Sequence, residues 1–332
     1  MSSPETTETM RAMVHDAYGP LELLELRDVE RPAPRANEVL VRVQAVGLHV
    51  GDCYCVRGAP LAMRSVSGWL RPKVGIPGFD VAGRVEAIGL DATGFAVGDE
   101  VFGASSRAGG CAELACLRQD ELAHRPEALS PEEAAALPTS GLAALHALRD
   151  VARLQAGQRL LVIGASGGVG TFAVQVAKAF GAEVTGVCST RNVELVRSLG
   201  ADRVIDYTRE DFAAEEGRWD VIFDNVENRS LSDCRRALSS TGQLILNSGT
   251  GARGLAMLVR LIKPLVLSPF VSQDLRRYLS VPCQEDLVAL VELFESGQLR
   301  PVVEKTYSLH ETAAALAHLE TGRARGKVVV TT

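Results

Sequence analysis

Seven residues between an apolar strand and an apolar helix carry the clearest chemistry in this chain: Gly164-Ala165-Ser166-Gly167-Gly168-Val169-Gly170. The spacing is G-x-x-G-G-x-G, one residue longer between the first two glycines than the G-x-G-x-x-G fingerprint. Glycines permit the tight turn and let the backbone approach a pyrophosphate. The N-terminus of the following helix offers unpaired N–H groups and the positive end of its dipole. Gly170 lets the helix pack close to the strand. The plain alternative is a strand–helix turn without a ligand. The loop opens the first unit of a strand–helix series, and that context favours a dinucleotide.

The end of the second strand bears on which dinucleotide. An NAD site places Asp or Glu there, about 20 residues past the loop, on the ribose hydroxyls. No acid occurs from Val184 to Asn192. Ser189, Thr190 and Arg191 stand there instead, hydroxyls and a guanidinium suited to a 2′-phosphate. NADPH is therefore expected over NADH, with Lys178 and Tyr207 as further contacts. A solvated Arg191 at a helix start is the bland alternative.

These residues need a scaffold, and the pattern along the chain supplies one. Short β-branched runs broken by Pro and Gly fill the first 125 residues: Met13–His15, Leu21–Glu25, Glu38–Gly47, Val81–Leu90 and the run at Glu100. Ser130-Pro131-Glu132-Glu133 then starts a helix, with an N-cap Ser, a first-turn Pro and acids. Strands at Arg159–Ile163, Glu183–Cys188, Arg203–Asp206, Val221–Val226 and Gln243–Asn247 alternate with helices at Val169–Phe180, Asn192–Leu199, Glu210–Glu216 and Leu231–Leu238. That alternation predicts a doubly wound parallel sheet. The apolar stretch Gly254–Gln273 interrupts it. A sixth strand, Arg277–Val281, and a helix, Gln284–Glu295, follow. Pro301–Tyr307, a helix at Glu311–Leu319 and Lys327–Thr331 then return to the β part. The expected division is residues 1–130 with 299–332, and residues 131–298.

Composition bounds the partners. The chain has 332 residues and a net charge of −6, which argues against nucleic acid. Seven cysteines, an odd number in a chain that needs no staples, point to reduced thiols and the cytosol. The polar, acidic first ten residues are unlike a signal peptide. Arg260, Lys263 and Pro264 break the stretch 254–273, so it reads as buried or lid-like rather than membrane-spanning. Peripheral attachment through it is the minor alternative.

Collinear segments run over nearly the whole chain: Gly47–Asp52, Pro77–Gly83, Glu133–Pro138, Gly164–Gly170, Phe223–Val226 and Gly326–Val330. In these the sequence resembles the medium-chain dehydrogenase/reductase superfamily, most closely its zinc-independent quinone oxidoreductase branch. The resemblance implies a GroES-like β-barrel catalytic domain, a Rossmann NADP(H)-binding domain and an active site in the cleft. It also implies homodimers through an edge strand of the Rossmann sheet. It adds Asn225 and Lys327 to the cofactor contacts, beside Gly164, Ser166, Gly167, Gly168, Val169 and Gly170.

Zinc members of the superfamily carry Cys where this chain has His49 and His where it has Phe79. Pro138–Leu142 offers no third thiol ligand, and no structural-zinc quartet accompanies Cys111 and Cys116. No metal is expected. In the quinone oxidoreductase branch, Asn usually stands at the His49 position, followed by Asp at Asp52 and Tyr at Tyr54. His, like Asn, can donate a hydrogen bond to a carbonyl, and it can also carry a proton. His49 and Tyr54 are therefore the candidate donors and Asp52 the orienting residue, in a turn or loop. Core or wall packing is the alternative for each. The reading that results is NADPH-dependent hydride transfer to a small hydrophobic quinone or α,β-unsaturated carbonyl. Leu255–Phe270 would form part of the acceptor wall. A zinc alcohol dehydrogenase and a cofactor-binding relative with little turnover remain as alternatives.

Overall fold

The computed structural model describes residues 8–61, 64–247, 267–268 and 271–332. The chain forms two units. One comprises residues 1–139, 282–291 and 301–332, the other residues 140–281 and 292–300. Most of the stretch 254–273, including the proposed wall residues Leu255, Met257, Leu258, Leu261 and Phe270, lies outside the described residues.

The first unit is built on antiparallel β. Strands β1 (Thr9–Val14) and β2 (Glu25–Glu30) pair as a separate ribbon. The main sheet contains β3 (Glu38–Leu48), β4 (Asp80–Ile88), β5 (Glu100–Ala104), β6 (Leu114–Arg118) and β7 (Leu122–His124). The last strands of the chain complete it. β3 is its longest strand, and its apolar positions Val39, Val41, Val43 and Val46 are buried in one core with Val81, Val101 and Leu122. Leu21–Leu23, expected as strand, is a single 3₁₀ turn after Pro20, and the strand begins only at Glu25. Helix α1 (Val50–Arg57) follows β3 directly.

The helix start at Ser130 is real but belongs to this first unit. Ser130 Oγ accepts from Glu133 N–H, and Glu133 Oε2 accepts from Ser130 N–H in return. Helix Pro131–Ala136 buries Ala134, Ala135 and Ala136 completely. Just beyond it, Thr139 donates from backbone and hydroxyl to Asp80 on β4. Small side chains thus bind the helix to the barrel, and the division falls after 139 rather than 130.

The second unit is a six-stranded parallel sheet. In chain order it comprises β8 (Arg159–Ile163), β9 (Glu183–Cys188), β10 (Arg203–Asp206), β11 (Trp219–Asp224), β12 (Leu238–Leu246) and β13 (Asp274–Arg277). Their spatial order is β10-β9-β8-β11-β12-β13. This is the doubly wound order of a Rossmann domain, with the direction of winding reversing between β8 and β11. Leu160, Val162, Val184, Val221 and Leu244 are fully buried, as a sheet covered on both faces requires. The helix expected over 210–216 shrinks to a 3₁₀ turn, Phe212–Ala214, capped by Asp211. The sixth strand lies earlier than expected. After Arg277 the chain turns to the helical segment at 138–151: Tyr278 Oη donates to Ala143 O at 2.6 Å, and Ser280 Oγ lies 2.8 Å from His146 Nδ1. Those side-chain bonds replace ladder pairing for 278–281. Strands β14 (Val303–Ser308) and β15 (Lys327–Thr331) return to the first unit, where β15 pairs antiparallel with β3.

Candidate active site

The glycine loop sits where the doubly wound order predicts, directly after β8 at the switch point. Gly167 precedes helix Gly168–Ala179 and provides no side-chain cap. The space over Gly167 is open: an added Cβ would meet only Gly164 O, at 3.5 Å. At Gly170 the reverse holds, and a Cβ there would stand 2.1 Å from Gly164 O. Gly167 thus leaves room for a ligand, whereas Gly170 lets the turn close.

Behind the loop, Asn192 is buried and donates from Nδ2 to Ser166 Oγ at 2.9 Å. Its Oδ1 is buried without a hydrogen-bond partner among the described residues. A buried orphan acceptor beside an open glycine cradle fits a polar ligand. The sequence reading missed Asn192, and nothing in its spacing marks it out; only the fold carries it back to Ser166.

The end of β9 differs in part from expectation. Ser189 and Arg191 are there, Arg191 on the surface, and Tyr207 is 58 % exposed. Thr190 is already engaged: its hydroxyl donates to Asp206 at 2.5 Å, so it has no proton left for a phosphate. Lys178 is likewise engaged, with Asp202 at 2.8 Å. An acid does stand near the end of β9: Asp206 lies on the next strand, where parallel pairing sets it opposite Cys188. The hydrogen bond from Thr190, helped by those from Thr208 and by Arg209, holds its carboxyl below the usual range.

Asn225 and Lys327 also find partners in the fold. Asn225 donates to Ile163 O at 3.2 Å and accepts from Asn247 at 2.8 Å, tying together the ends of β8, β11 and β12. Lys327 is buried in the first unit, with Nζ 3.1 Å from the fully buried Asp80. It is a packing partner of the barrel rather than an exposed cation for a cofactor.

In the first unit, His49 and Asp52 form a capping box instead of the expected loop. His49 is the N-cap of α1. Its N–H donates to Asp52 Oδ2 at 2.9 Å, and its ring Nδ1 accepts from Gly51 N–H at 2.9 Å. A backbone N–H can only donate, so Nδ1 carries the lone pair and the neutral ring carries its proton on Nε2. Asp52 is fully buried and also accepts from Gly78 N–H at 2.8 Å. Burial outweighs these bonds and raises its carboxyl above the usual range. Gly78 is followed by Phe79, whose ring stacks on His49 at 5.3 Å. The imidazole is therefore held by a backbone bond and an aromatic face, while the buried Asp52 carboxyl holds the backbone of the same residue. Tyr54 lies half-buried on the same helix, and burial raises its phenol. No hydrogen bond joins it to His49 or Asp52 among the described residues.

These side chains do not suit zinc. The two positions that zinc members use for ligands hold His49, whose Nδ1 is engaged, and Phe79, which has no donor atom. Cys53 donates its thiol to Leu316 O, and burial pushes the Cys55 thiol up to about 12. Among the described residues no group of three or more His, Cys, Asp or Glu is placed to hold a metal ion.

An alcohol dehydrogenase GroES-like domain model matches residues 35–144, and a zinc-binding dehydrogenase model matches residues 199–330. The chain is 34 % identical, over 99 % of its length and 90 % of the relative's, to a mitochondrial NAD(P)H oxidoreductase of Bos taurus. It is 32 % identical, over 97 % of its length and 79 % of the relative's, to a 2-methylene-furan-3-one reductase of Solanum lycopersicum. The solved quinone oxidoreductase of Coxiella burnetii matches it with a TM-score of 0.86 at 29 % identity, covering 98 % of this chain and 100 % of that one. The chain belongs to the zinc-independent quinone oxidoreductase branch of the medium-chain dehydrogenase/reductase superfamily. It is an oxidoreductase of this superfamily with a nicotinamide cofactor, and the glycine cradle with its orphan Asn192 acceptor fits that cofactor.

Proposed function

We propose that this protein reduces a quinone or a conjugated enone with NADPH, and that neutral His49 supplies the hydrogen bond to the acceptor oxygen. The observation that carries this is the fixed tautomer: Gly51 N–H on Nδ1 leaves Nε2–H as the donor. When bound, the reduced nicotinamide supplies a hydride to the electron-poor carbon of the acceptor. As negative charge develops on the conjugated oxygen, a preorganised donor stabilises that charge more than it stabilises the ground state. Asp52 holds the backbone of His49, and Phe79 covers one ring face and keeps water from it. A quinone then takes a proton on that oxygen, and loss of a proton from the reduced carbon with gain of one on the second oxygen restores the aromatic ring and gives the hydroquinone. An enone takes its proton on carbon, from solvent or from Tyr54. The names of the tomato and Coxiella relatives fall on either side of this choice.

Arg191 and Ser189 support NADPH, since a 2′-phosphate dianion gains a charge-assisted bond there. The nearby Asp206 is engaged by the hydroxyls of Thr190 and Thr208, one on each oxygen. Turnover of the purified protein with NADPH and NADH against a panel of quinones, enones and simple alcohols tests the proposal. Reduction of quinones or enones with NADPH preferred supports it. Alcohol oxidation that a chelator abolishes overturns it in favour of a zinc alcohol dehydrogenase. Cofactor binding without turnover on any member of the panel overturns the enzyme reading.

The same reading includes a homodimer. β13 is the outer strand of the parallel sheet, and Leu279 beyond it is 85 % exposed. An open strand edge is an aggregation hazard that pairing with a second copy removes. Sedimentation at micromolar concentration should show two chains, and a monomer would contradict the pairing.

A further inference from the structure

Between Cys53 and Phe79 the chain carries Arg57, Arg64, Arg71 and Lys73 and no Asp or Glu, although its net charge is −6. Arg57 is paired with Glu320. The middle of this segment closes on itself: Lys73 N–H donates to Ser67 O at 2.7 Å, and Gly68 N–H donates to Arg64 O at 2.9 Å. Tyr18 braces the base of the turn, with its hydroxyl donating to Gly68 O at 2.5 Å and its ring under the Arg64 guanidinium at 4.6 Å. At the tip, Trp69 is 68 % exposed and Leu70 is 91 % exposed.

Single exposed apolar side chains are ordinary. An exposed Trp–Leu pair on a braced turn, flanked by cations and with no acid in its own stretch of chain, has the composition of a bilayer interface; the nearby Asp16, beside the bracing Tyr18, is paired with Arg27. Trp favours the headgroup level, Leu the acyl boundary, and Arg and Lys the anionic headgroups. We infer that the turn 67–73 docks this protein on an anionic lipid surface. A long polyanion such as nucleic acid would also meet the rest of an acidic surface and be repelled by it. The inference does not depend on which acceptor the enzyme reduces.

The protein carries its own reporter. It has two tryptophans, Trp69 at the tip and Trp219, which is 1 % exposed, so a change in emission on docking reports Trp69. Vesicles of phosphatidylcholine containing phosphatidylglycerol should shift the emission to the blue and co-sediment the protein. Pure phosphatidylcholine vesicles should do neither, and molar salt should reverse both effects. Arg71→Ala with Lys73→Ala should weaken binding about 25-fold, since each interfacial cation contributes a factor of about five. Trp69→Ala with Leu70→Ala should abolish sedimentation while leaving the melting temperature unchanged. An unshifted wild-type emission on anionic vesicles overturns the proposal, and so does equal binding to both vesicle types. Tighter binding to a DNA duplex than to the vesicles would also overturn it. The wild-type emission decides the matter even if a variant fails to fold.

Discussion

The glycine loop after β8 and the His49 capping box use opposite materials to place a hydrogen-bond donor. The loop works by omission. It removes side chains, which leaves the space over Gly167 open and lets Gly170 close on Gly164 O, and it needs only a strand before it and a helix after it. The capping box works by addition: one backbone bond and a stacked ring hold the imidazole, and a buried carboxyl holds its backbone. Omission leaves a mark in sequence, because glycines at fixed spacing are visible. Addition leaves little, because Gly78, Phe79 and His49 meet only after β3 and β4 have paired. A substitution in the loop should therefore fail sterically, whereas one in the box should detune a single group.

The largest break lies in the loop. Gly170→Val places carbon 2.1 Å from Gly164 O, a clash only backbone movement relieves, and calorimetric titration should find no cofactor binding. Next comes Arg191→Ala, which should weaken NADPH by about 1–3 kcal/mol and leave NADH nearly unchanged; equal losses for both cofactors would remove Arg191 from the phosphate site. In the box, Gly51→Ala drives a methyl into the imidazole, 2.5 Å from Cε1. Since small displacements of reacting groups are costly, kcat should fall by about tenfold with cofactor affinity intact. The smallest effect concerns stability. Burial raises the Asp52 carboxyl, so the folded state holds that proton more tightly than the unfolded chain does. That contribution is present at low pH and is lost as pH rises through the raised value. Asp52→Asn should flatten that loss in unfolding free energies measured across the carboxylate range. An unchanged pH slope would show that the ionised form is already well accommodated.

The parallel sheet was legible because strand–helix alternation and the glycine loop are local signals; β8, β9 and β10 fall where periodicity places them. The shift of β13 was not, because Tyr278 and Ser280 are drawn off by Ala143 and His146, more than 130 residues away in sequence. Helix Pro131–Ala136 was found, but its unit was not, since burial of three alanines against β3 and β4 has no signature along the chain. The same limit applies to the site. His49, Asp52 and Tyr54 were singled out together, yet the fold joins only the first two. Thr190, Lys178 and Lys327, expected as cofactor contacts, are each engaged by an acid that sequence spacing could not bring near: Asp206, Asp202 and Asp80.

In the proposed mechanism a neutral imidazole, and no metal, stabilises the developing oxyanion. The most direct test is the single-turnover rate of hydride transfer from NADPH to a quinone, for wild type and His49→Ala, each with and without a strong chelator. The rate should fall by about 10²–10³ in the variant, the cost of losing one oxyanion donor, with NADPH affinity unchanged and no effect of the chelator on either protein. A variant within a few-fold of wild type would show that His49 is not the donor, and a chelator that stops the wild-type enzyme would show that a metal is.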